Sequence, residues 1–282
     1  MESHCKVFKA ATSWCPAMKK STKEVLVRRF LPFLPFLQLI GFDISVFLML
    51  RYYPRFKKQK RLFQKLGGDI THNSLSLSDY NAKAGESSGH YFHQDLLVAS
   101  FVHGDDPQRH IDIGSRIDGF VAHVASFRKI EVMDLRDLDS SIHKNISFIK
   151  ADLMDANSAQ PSTTDSISCL HAIEHFGLGR YGDNINPNGH IEGFKNIVRM
   201  LKPNGVLYIS FPIGRNNQVH FNKERVFHPK DIFRWDEGNS NLILERFDYV
   251  DDVGDLHLDI DLNMEPLDVV HSCGIYTFRK MH

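Results

Sequence analysis

From about residue 109 onwards, short apolar runs alternate with segments whose apolar residues recur at helical spacing. This alternation is typical of a parallel sheet with helices on both faces. Five runs are separated by crossover-length segments, whereas the last two have no long helix between them. We therefore predict a doubly wound α/β domain whose seven-stranded, mostly parallel sheet ends in an antiparallel pair. The predicted strands are 110–113, 130–134, 146–150, 166–170, 205–211, 242–249 and 274–279.

Two polar breaks in this pattern predict turns. Residues 110–120 read HIDIGSRIDGF, which predicts a buried strand, a glycine turn and the start of a helix at Phe120. Free backbone N–H groups in such a turn, together with the helix dipole, favour a small polar ligand. Residues 201–205, LKPNG, predict a helix stop and a turn before the fifth strand.

The composition of the first turn narrows the choice of ligand. Arg116 stands where a dinucleotide-binding fingerprint has its middle glycine, between Gly114 and Gly119. That glycine allows close approach of a pyrophosphate, which Asp112 would also repel, so the turn argues against NAD or FAD. A carboxylate suits a ligand that carries an amine, such as the methionine half of S-adenosylmethionine. With Ser115, these residues form the first part of a predicted cofactor site.

Acidic residues also follow the next two predicted strands. Asp134 ends the second strand, at the spacing of a carboxylate that accepts hydrogen bonds from two ribose hydroxyls. Asp152 follows the third strand, where it would accept from an adenine amino group while Leu153 packs on the ring. Each acid taken singly also fits a helix cap or a solvated turn. One adenosine-type ligand explains all of them together.

The fourth strand leads into the densest polar segment of the domain. His171, Glu174 and His175 match the inverted zinc-protease motif, but they follow a strand and lack a third ligand, so we predict no metal. We expect His171 to contact the cofactor and Glu174 or His175 to act as a general base. Pairing of these side chains with each other, or capping of a helix, is the alternative.

A glycine-rich loop follows this segment and carries two charged candidates for the catalytic site. Arg180 and Asp183 suit contact with a polar substrate. An ordered ion pair between them, across the turn, fits the sequence equally well.

Charge divides the chain into a basic extension and an acidic body. Residues 1–66 hold 14 lysines and arginines against 3 acids, although the whole chain is neutral. We predict a basic, partly apolar helical extension over 1–66, a lead-in and lid segment over 67–108, and the sheet domain over 109–282. The four cysteines lack zinc-site spacing and two fall in predicted strands, which predicts reduced core thiols.

The extension also raises the question of a membrane. Residues 30–50 are apolar, but Pro32, Pro35 and Asp43 oppose a transmembrane helix. Three interpretations stay open: two short segments packed into a core, reversible contact of residues 28–65 with an anionic membrane surface, and a membrane span or in-plane anchor. No nucleic-acid motif accompanies the basic run, and the N-terminus lacks a signal peptide's apolar core. We expect a cytoplasmic protein, with membrane association left open.

Several segments resemble a family catalogued as domain of unknown function 268 and first noted in nematodes. They are GHYFHQDLLVA (89–99), HIDIGSRIDGFVAHVASF (110–127), SCLHAIEHFGLGRYGD (168–183) and LYISFPIG (207–214). The resemblance covers about residues 85–280 and implies a methyltransferase-like fold, with bacterial relatives associated with surface polysaccharide synthesis. Ile173-Glu174-His175 is similar to a sequence that walls the cofactor pocket in methyltransferases. Arg116 and Asp118 replace two glycines of the broader methyltransferase pattern.

Two functions are therefore expected, and a nucleotide-sugar or metal-dependent enzyme that uses the histidine cluster is a third alternative. The first is an S-adenosylmethionine-dependent methyltransferase that acts on a small polar or glycan-type acceptor. The second is a catalytically inactive, methyltransferase-like binding or scaffold protein at a membrane surface, in which Arg116 fills the cofactor space and the pocket at Gly114 is closed.

Overall fold

The computed structural model describes residues 50–82, 84–85, 87–138, 143–235, 242–263 and 267–281. The chain divides into two compact units, of which the second is Ser87–His282. Residues 30–49 of the apolar stretch and the first two cysteines lie outside the described residues. Within the described ranges, none of the helices combines the length and apolar character that a membrane span requires.

The described part of the first unit contains one α-helix, α1 (Tyr53–Lys65), which has no buried residue. Pro54 lies in its first turn, where the missing N–H costs no helical hydrogen bond. Lys65 lies in its last turn, where a cation interacts favourably with the helix dipole.

The described part of the second unit is built on one eight-stranded sheet and a small hairpin. The sheet strands are β1 (His110–Ile113), β2 (Ile130–Asp134), β3 (Ile146–Lys150), β4 (Thr164–Leu170), β5 (Leu201–Ile213), β8 (Leu242–Val250), β9 (Leu256–His257) and β10 (Ser272–Lys280), and the hairpin strands are β6 (Gln218–His220) and β7 (Glu224–Val226). The sheet order is β3-β2-β1-β4-β5-β10-β8-β9. Strands β1 to β5 are parallel, and β10 lies antiparallel between β5 and β8. The predicted doubly wound, methyltransferase-like sheet is confirmed.

The predicted strand count and one predicted turn need correction. Strand β9 is an eighth strand, and its two residues are too few to produce a pattern in the sequence. The preceding helix does end before residue 201, but 201–205 belong to β5 instead of forming a separate turn. Asn204 is left-handed, with φ 62°, and the pairing of β4 with β5 shifts register opposite this segment. The turn residues therefore produce an irregularity inside the strand.

Helices cover both faces of the sheet, as predicted. The helices of the second unit are α2 (His90–Asp105), α3 (Ala122–Ala125) and α4 (Gly189–Met200). Helices α2 and α3 pack on one face through side chains such as Val102, and α4 packs on the other through side chains such as Ile197.

Helix α2 lies within the predicted lead-in segment 67–108, whereas one expectation about α3 is wrong. The helix expected from Phe120 is α-helical only over α3. A π-helical turn, Ile117–Val121, precedes it. Gly119 interrupts that turn with non-helical angles, φ −118° and ψ −110°.

Alternate side chains of β5 supply both layers of the core. Leu207, Ile209 and Phe211 face α4, whereas Tyr208 faces the layer of α2. The two described cysteines, Cys169 in β4 and Cys273 in β10, are buried free thiols, as predicted.

Phe211 lies at the centre of an aromatic cluster, and its ring centroid is 5.0 to 5.3 Å from those of Phe227, Trp235 and Tyr276. We expect Phe211→Ala to lower the free energy of unfolding by about 3–5 kcal/mol, because it leaves a cavity among close-packed rings. Phe221→Ala is the matched control, since that ring is 74% exposed, and it should cost less than about 0.5 kcal/mol. Urea denaturation checks both variants, and equal costs would contradict the assignment of this core.

Candidate functional site

The turn after β1 is shaped by a glycine. Gly114 has φ +68°, a conformation that side-chain-bearing residues rarely adopt. A Cβ atom there would lie 3.0 Å from the Cβ of Ala172, so the turn also approaches the segment after β4 closely. The Gly114 N–H donates to the carbonyl of Met133, which ties the turn to the end of β2.

A buried carboxylate supports this turn from behind. Asp112 is fully buried, and its Oδ1 accepts hydrogen bonds from the hydroxyls of Ser115 and Ser168, both at 2.6 Å. Its Oδ2 accepts from the Ser115 N–H, while the Ser115 hydroxyl accepts from the Leu170 N–H. Burial raises the pKa of Asp112 to about 7, although these hydrogen bonds oppose the shift. The carboxylate thus joins β1, the turn and β4.

A cavity of about 570 Å³, open to solvent, lies at the carboxyl ends of β1 to β4. It occupies the position where parallel α/β sheets bind ligands. Its lining residues are Ile113, Gly114, Met133, Asp134, Leu135, Arg136, Ala151, Asp152, Leu153, Met154, His171, Ala172, His175, Phe176, Tyr181 and Asp183.

The structure brings about half of the predicted site residues to this cavity. Those that line it are Gly114, Asp134, Asp152, Leu153, His171, His175 and Asp183. Those that do not are Asp112, Ser115, Arg116, Gly119, Glu174 and Arg180. The first group comes together because four strands end at this cavity. The roles of both groups in ligand binding stay predictions.

Arg116 does not occupy the cavity. Its side chain is about half exposed and forms an ion pair with Asp118 at 3.0 Å. The guanidinium also lies over the ring of Tyr91, 5.1 Å from its centroid. Gly119 serves packing instead, because a Cβ atom there would lie 2.4 Å from the Asp95 carboxylate of α2. The turn therefore leaves the pocket at Gly114 open, whereas an inactive protein is expected to have a closed pocket there.

The two acids after β2 and β3 have partners within their own loops. Arg136 holds Asp134 through both oxygens, with Nη2 at 2.6 Å from Oδ2 and Nε at 3.0 Å from Oδ1. Asp152 accepts from the Met154 N–H at 2.9 Å. The Arg136 N–H also donates to Oδ1 of Asp134, at 2.8 Å. A carboxylate has about four acceptor positions, so Asp134 keeps one for a ligand, on Oδ2, and Asp152 keeps more.

An arginine that the sequence pattern did not single out, Arg136, lies at the rim of this cavity. Arg136 lies over the ring of Tyr181 at 4.4 Å, and Arg180 lies 5.1 Å from the same ring. The Asp-x-Arg spacing at Asp134 was an available signal, since a carboxylate and a guanidinium two residues apart can pair in a turn. The neighbouring apolar residues Leu135 and Met154 gave no comparable signal.

The polar segment after β4 forms a tight turn. His171 adopts φ +50°, and its Nδ1 lies 2.9 Å from Oε1 of Glu174, which is almost fully buried. His175 points its Nδ1 to the carbonyl of Lys223 at 2.8 Å. A carbonyl only accepts, so this nitrogen carries the proton and Nε2 keeps a lone pair. Burial lowers the pKa of His175, which favours its neutral form.

The ion pair considered for the glycine-rich loop does not form. Arg180 donates to the carbonyl of Lys223 at 2.9 Å. Asp183 accepts instead from the N–H groups of Gly179 and Tyr181, at 3.0 and 3.1 Å. Asp183 therefore fixes the loop that carries Tyr181 over the cavity.

Comparison with known proteins identifies the family. Residues 120–262, about half of the chain, match the family described as "Caenorhabditis protein of unknown function, DUF268". The chain belongs to this family. The resemblance inferred from the sequence motifs is thus confirmed. No protein with a curated description matches the chain significantly.

Solved structures with a similar fold include several methyltransferases. The chain is similar to 1,6-didemethyltoxoflavin-N1-methyltransferase from Burkholderia thailandensis, at 12% identity and a TM-score of 0.46, over 67% of this chain and 79% of that one. It is similar to the N-methyltransferase NodS from Bradyrhizobium japonicum WM9, at 11% identity and a TM-score of 0.46, over 78% of this chain and 98% of that one. It is also similar to the (4+2)-cyclase SpnF, at 13% identity and a TM-score of 0.49, over 78% of this chain and 92% of that one. These similarities concern the fold alone.

The buried carboxylate makes stability depend on pH. Between about pH 4 and pH 7 the folded protein holds a proton on Asp112 that the unfolded chain has released, so the contribution of Asp112 to the free energy of unfolding falls as pH rises. A shift from 3.8 to about 7 corresponds to a loss on the order of 4 kcal/mol in this contribution across the range. We expect Asp112→Asn to change the slope of the free energy of unfolding against pH by this amount, measured by urea denaturation at several pH values.

Asp118→Asn is the control. Arg116 lowers the pKa of Asp118, so its contribution is lost only below about pH 4 and the slope above should persist. An unchanged slope in Asp112→Asn would contradict the protonation assigned to the buried carboxylate.

Proposed function

We propose that the protein is an S-adenosylmethionine-dependent methyltransferase that acts on a small polar or glycan-type acceptor. The observation that carries this proposal is the convergence of the Gly114 turn, Asp134 and Asp152 on one open cavity. Three successive strand ends thus present a turn and two carboxylates to the same space. Their order matches the order of the amino acid, ribose and adenine parts of this cofactor.

The cavity walls suit each part of the cofactor. The Gly114 turn would receive the methionine end, because glycine, which the positive φ favours, places no side chain in the way. Asp134 would accept from a ribose hydroxyl at the one acceptor position of Oδ2 that Arg136 leaves open. Leu135 and Leu153 supply apolar surface for the adenine ring, beside Asp152. When bound, the cofactor supplies a methyl group on a positively charged sulfur.

The residues of this chain would align the acceptor and manage its proton. Methyl transfer depends on the alignment of acceptor and methyl group more than on a strong base. His175 is neutral and lines the cavity, so its free Nε2 can accept a proton from an acceptor hydroxyl. The backbone carbonyl of Lys223 keeps the imidazole in that tautomer.

The rim of the cavity favours a polar acceptor. Tyr181 contributes an aromatic ring to the rim, and the guanidinium groups of Arg136 and Arg180 both lie near that ring. Guanidinium groups only donate hydrogen bonds, so they suit hydroxyl, carboxylate or phosphate oxygens. A sugar ring offers such oxygens together with C–H groups that can pack against an aromatic face.

Isothermal titration with S-adenosylmethionine and S-adenosylhomocysteine tests the cofactor. We expect both to bind, and Asp134→Asn to weaken binding about 10-fold to 100-fold, as for the loss of a charge-assisted hydrogen bond. Asp137→Asn is the matched control, because that carboxylate follows the same strand but is exposed and pairs with Lys150. Its affinity should equal that of the unmodified protein.

Absence of heat with both compounds, or the same affinity in the two variants, would overturn the proposed cofactor site. Binding without methyl transfer to a panel of sugars and hydroxylated small molecules would instead overturn the proposed acceptor class.

We also propose a second candidate function, peripheral contact with an anionic membrane through helix α1, as expected of a scaffold. Leu62, Phe63 and Leu66 are all more than half exposed, and the helix carries lysines along its whole length. A basic helix with exposed apolar side chains suits the interface of an anionic bilayer.

Sedimentation with vesicles tests this contact. Replacement of Lys57, Lys58 and Lys60 by glutamine should weaken binding to phosphatidylserine vesicles on the order of 100-fold, since each cation contributes about 1 kcal/mol. The control replaces the exposed Lys129, Lys144 and Lys195, which changes net charge equally. Binding to neutral vesicles alone, or an equal loss in both variants, would contradict this assignment.

A further inference from the structure

A second group of side chains with the chemistry of a binding site lies beside the cavity. His90 begins α2, His171 follows β4, and Cys273 lies near the start of β10. One potential ligand atom from each, two imidazole nitrogens and a sulfur, lies within 4.8 Å of the others. We call these three residues the histidine–cysteine cluster. All of them belong to the second unit of the chain.

One polar atom of this cluster, and another of the neighbouring Glu174, lack hydrogen-bond partners. Among the described residues, four buried side-chain nitrogen and oxygen atoms have no hydrogen bond, and two of them are Nε2 of His171 and Oε2 of Glu174. The side chains of these two residues are 6% and 1% exposed. A buried polar atom without a partner is costly, so its presence indicates a missing ligand or partner.

The bond between these two side chains prepares His171 for a metal ion. Glu174 Oε1 lies 2.9 Å from Nδ1 of His171. Because Nδ1 faces this carboxylate, Nε2, the atom without a partner, is the ring nitrogen left to bind an ion, and a bound ion would take the place of a proton on it. A histidine that donates to a carboxylate through one nitrogen and binds the ion through the other is common in zinc sites.

The other two members complete a suitable set of ligands. The His90 ring stacks on the His171 ring, with centroids 5.4 Å apart, and on the His271 ring, with centroids 6.1 Å apart. Cys273 has two weak hydrogen bonds, from Sγ to Gln94 Oε1 at 3.5 Å and to the carbonyl of Gly274 at 3.8 Å.

We propose that His90, His171 and Cys273 bind a zinc ion or a similar transition-metal cation. Nitrogen and thiolate sulfur are the ligands that zinc prefers, and the ion would deprotonate the Cys273 thiol. Tetrahedral bonds of about 2.0–2.3 Å place ligand atoms roughly 3.5 Å apart, so the cluster must contract by about 1 Å. His90 can supply this movement, because its ring is only partly buried at the first residue of a helix.

The position of the cluster gives the ion a further consequence. His171 also lines the cavity, so the ion would lie in its wall. Three protein ligands leave a fourth coordination position, which in catalytic zinc sites holds water or substrate. Binding of the ion does not depend on the proposed function, and the site stands if the cofactor proposal fails.

The full-length protein, stripped of metal by a chelator, tests the proposal by titration with zinc and with cobalt(II). We expect one equivalent of either ion to bind, and cobalt(II) to give the near-ultraviolet charge-transfer band of a cobalt–thiolate bond. Cys273→Ser should abolish this band, and His90→Gln should strongly weaken the binding of both ions. Glu174→Gln should weaken zinc binding roughly 10-fold to 100-fold, because Glu174 orients a ligand without touching the ion.

Two controls separate this site from other thiols and histidines. Cys169→Ser removes the other described buried thiol, and His93→Gln removes a histidine on the same helix one turn from His90. Both should bind cobalt(II) as the unmodified protein does. Circular dichroism verifies the fold of each variant, and the unmodified protein keeps the test decisive if Cys273→Ser does not fold. No charge-transfer band in that protein, or a band that persists in Cys273→Ser, would overturn the proposal.

Discussion

The buried carboxylate of Asp112 is the interaction on which the candidate site depends. It accepts hydrogen bonds from Ser115 in the turn and from Ser168 in the neighbouring strand, 56 residues away in the chain. His110 extends the network by bonding to Ser166 and Ser168. These bonds fix the register of β1 against β4 at the point where both strands end. The Gly114 turn and the His171 turn are therefore held against each other.

Burial is the reason that this hydrogen-bond network orders the turn. A carboxylate that loses water must find hydrogen bonds inside the protein, and here hydroxyl and amide groups from the turn and from β4 supply them. The same burial that orders the turn raises the pKa of Asp112, so the support for the site is coupled to protonation. Asp112 thus shapes the place where a ligand would bind without facing the cavity.

His171 links the two halves of the site. Its left-handed backbone places the imidazole both in the cavity wall and against His90. Such a conformation costs free energy and persists where its surroundings fix it. The Ser210 carbonyl accepts from its N–H and Glu174 holds its ring, so both ends of the residue are anchored. One strained residue therefore belongs to the candidate cofactor cavity and to the histidine–cysteine cluster.

The sequence by itself determined the sheet and much of one wall of the cavity. Strands β1, β2 and β3 begin and end at the predicted residues, because in each the apolar run stops where a polar turn starts. Asp134 and Asp152 line the cavity as expected, since the ends of parallel strands lie at one edge. Strand β9 escaped prediction because a two-residue strand is defined only by its partner, β8.

The tertiary structure alone decided which predicted residues face the cavity. Asp112 and Glu174 are polar residues at strand ends, like Asp134, but neighbouring elements bury them. Arg116 turns outward because Asp118 and Tyr91 lie beside it, a choice of rotamer that residue spacing does not encode. His90, His171 and Cys273 meet only because α2 packs against both β4 and β10, which β5 separates in the sheet. Periodicity records the burial of a single element, whereas a site formed from several elements exists only once they have packed.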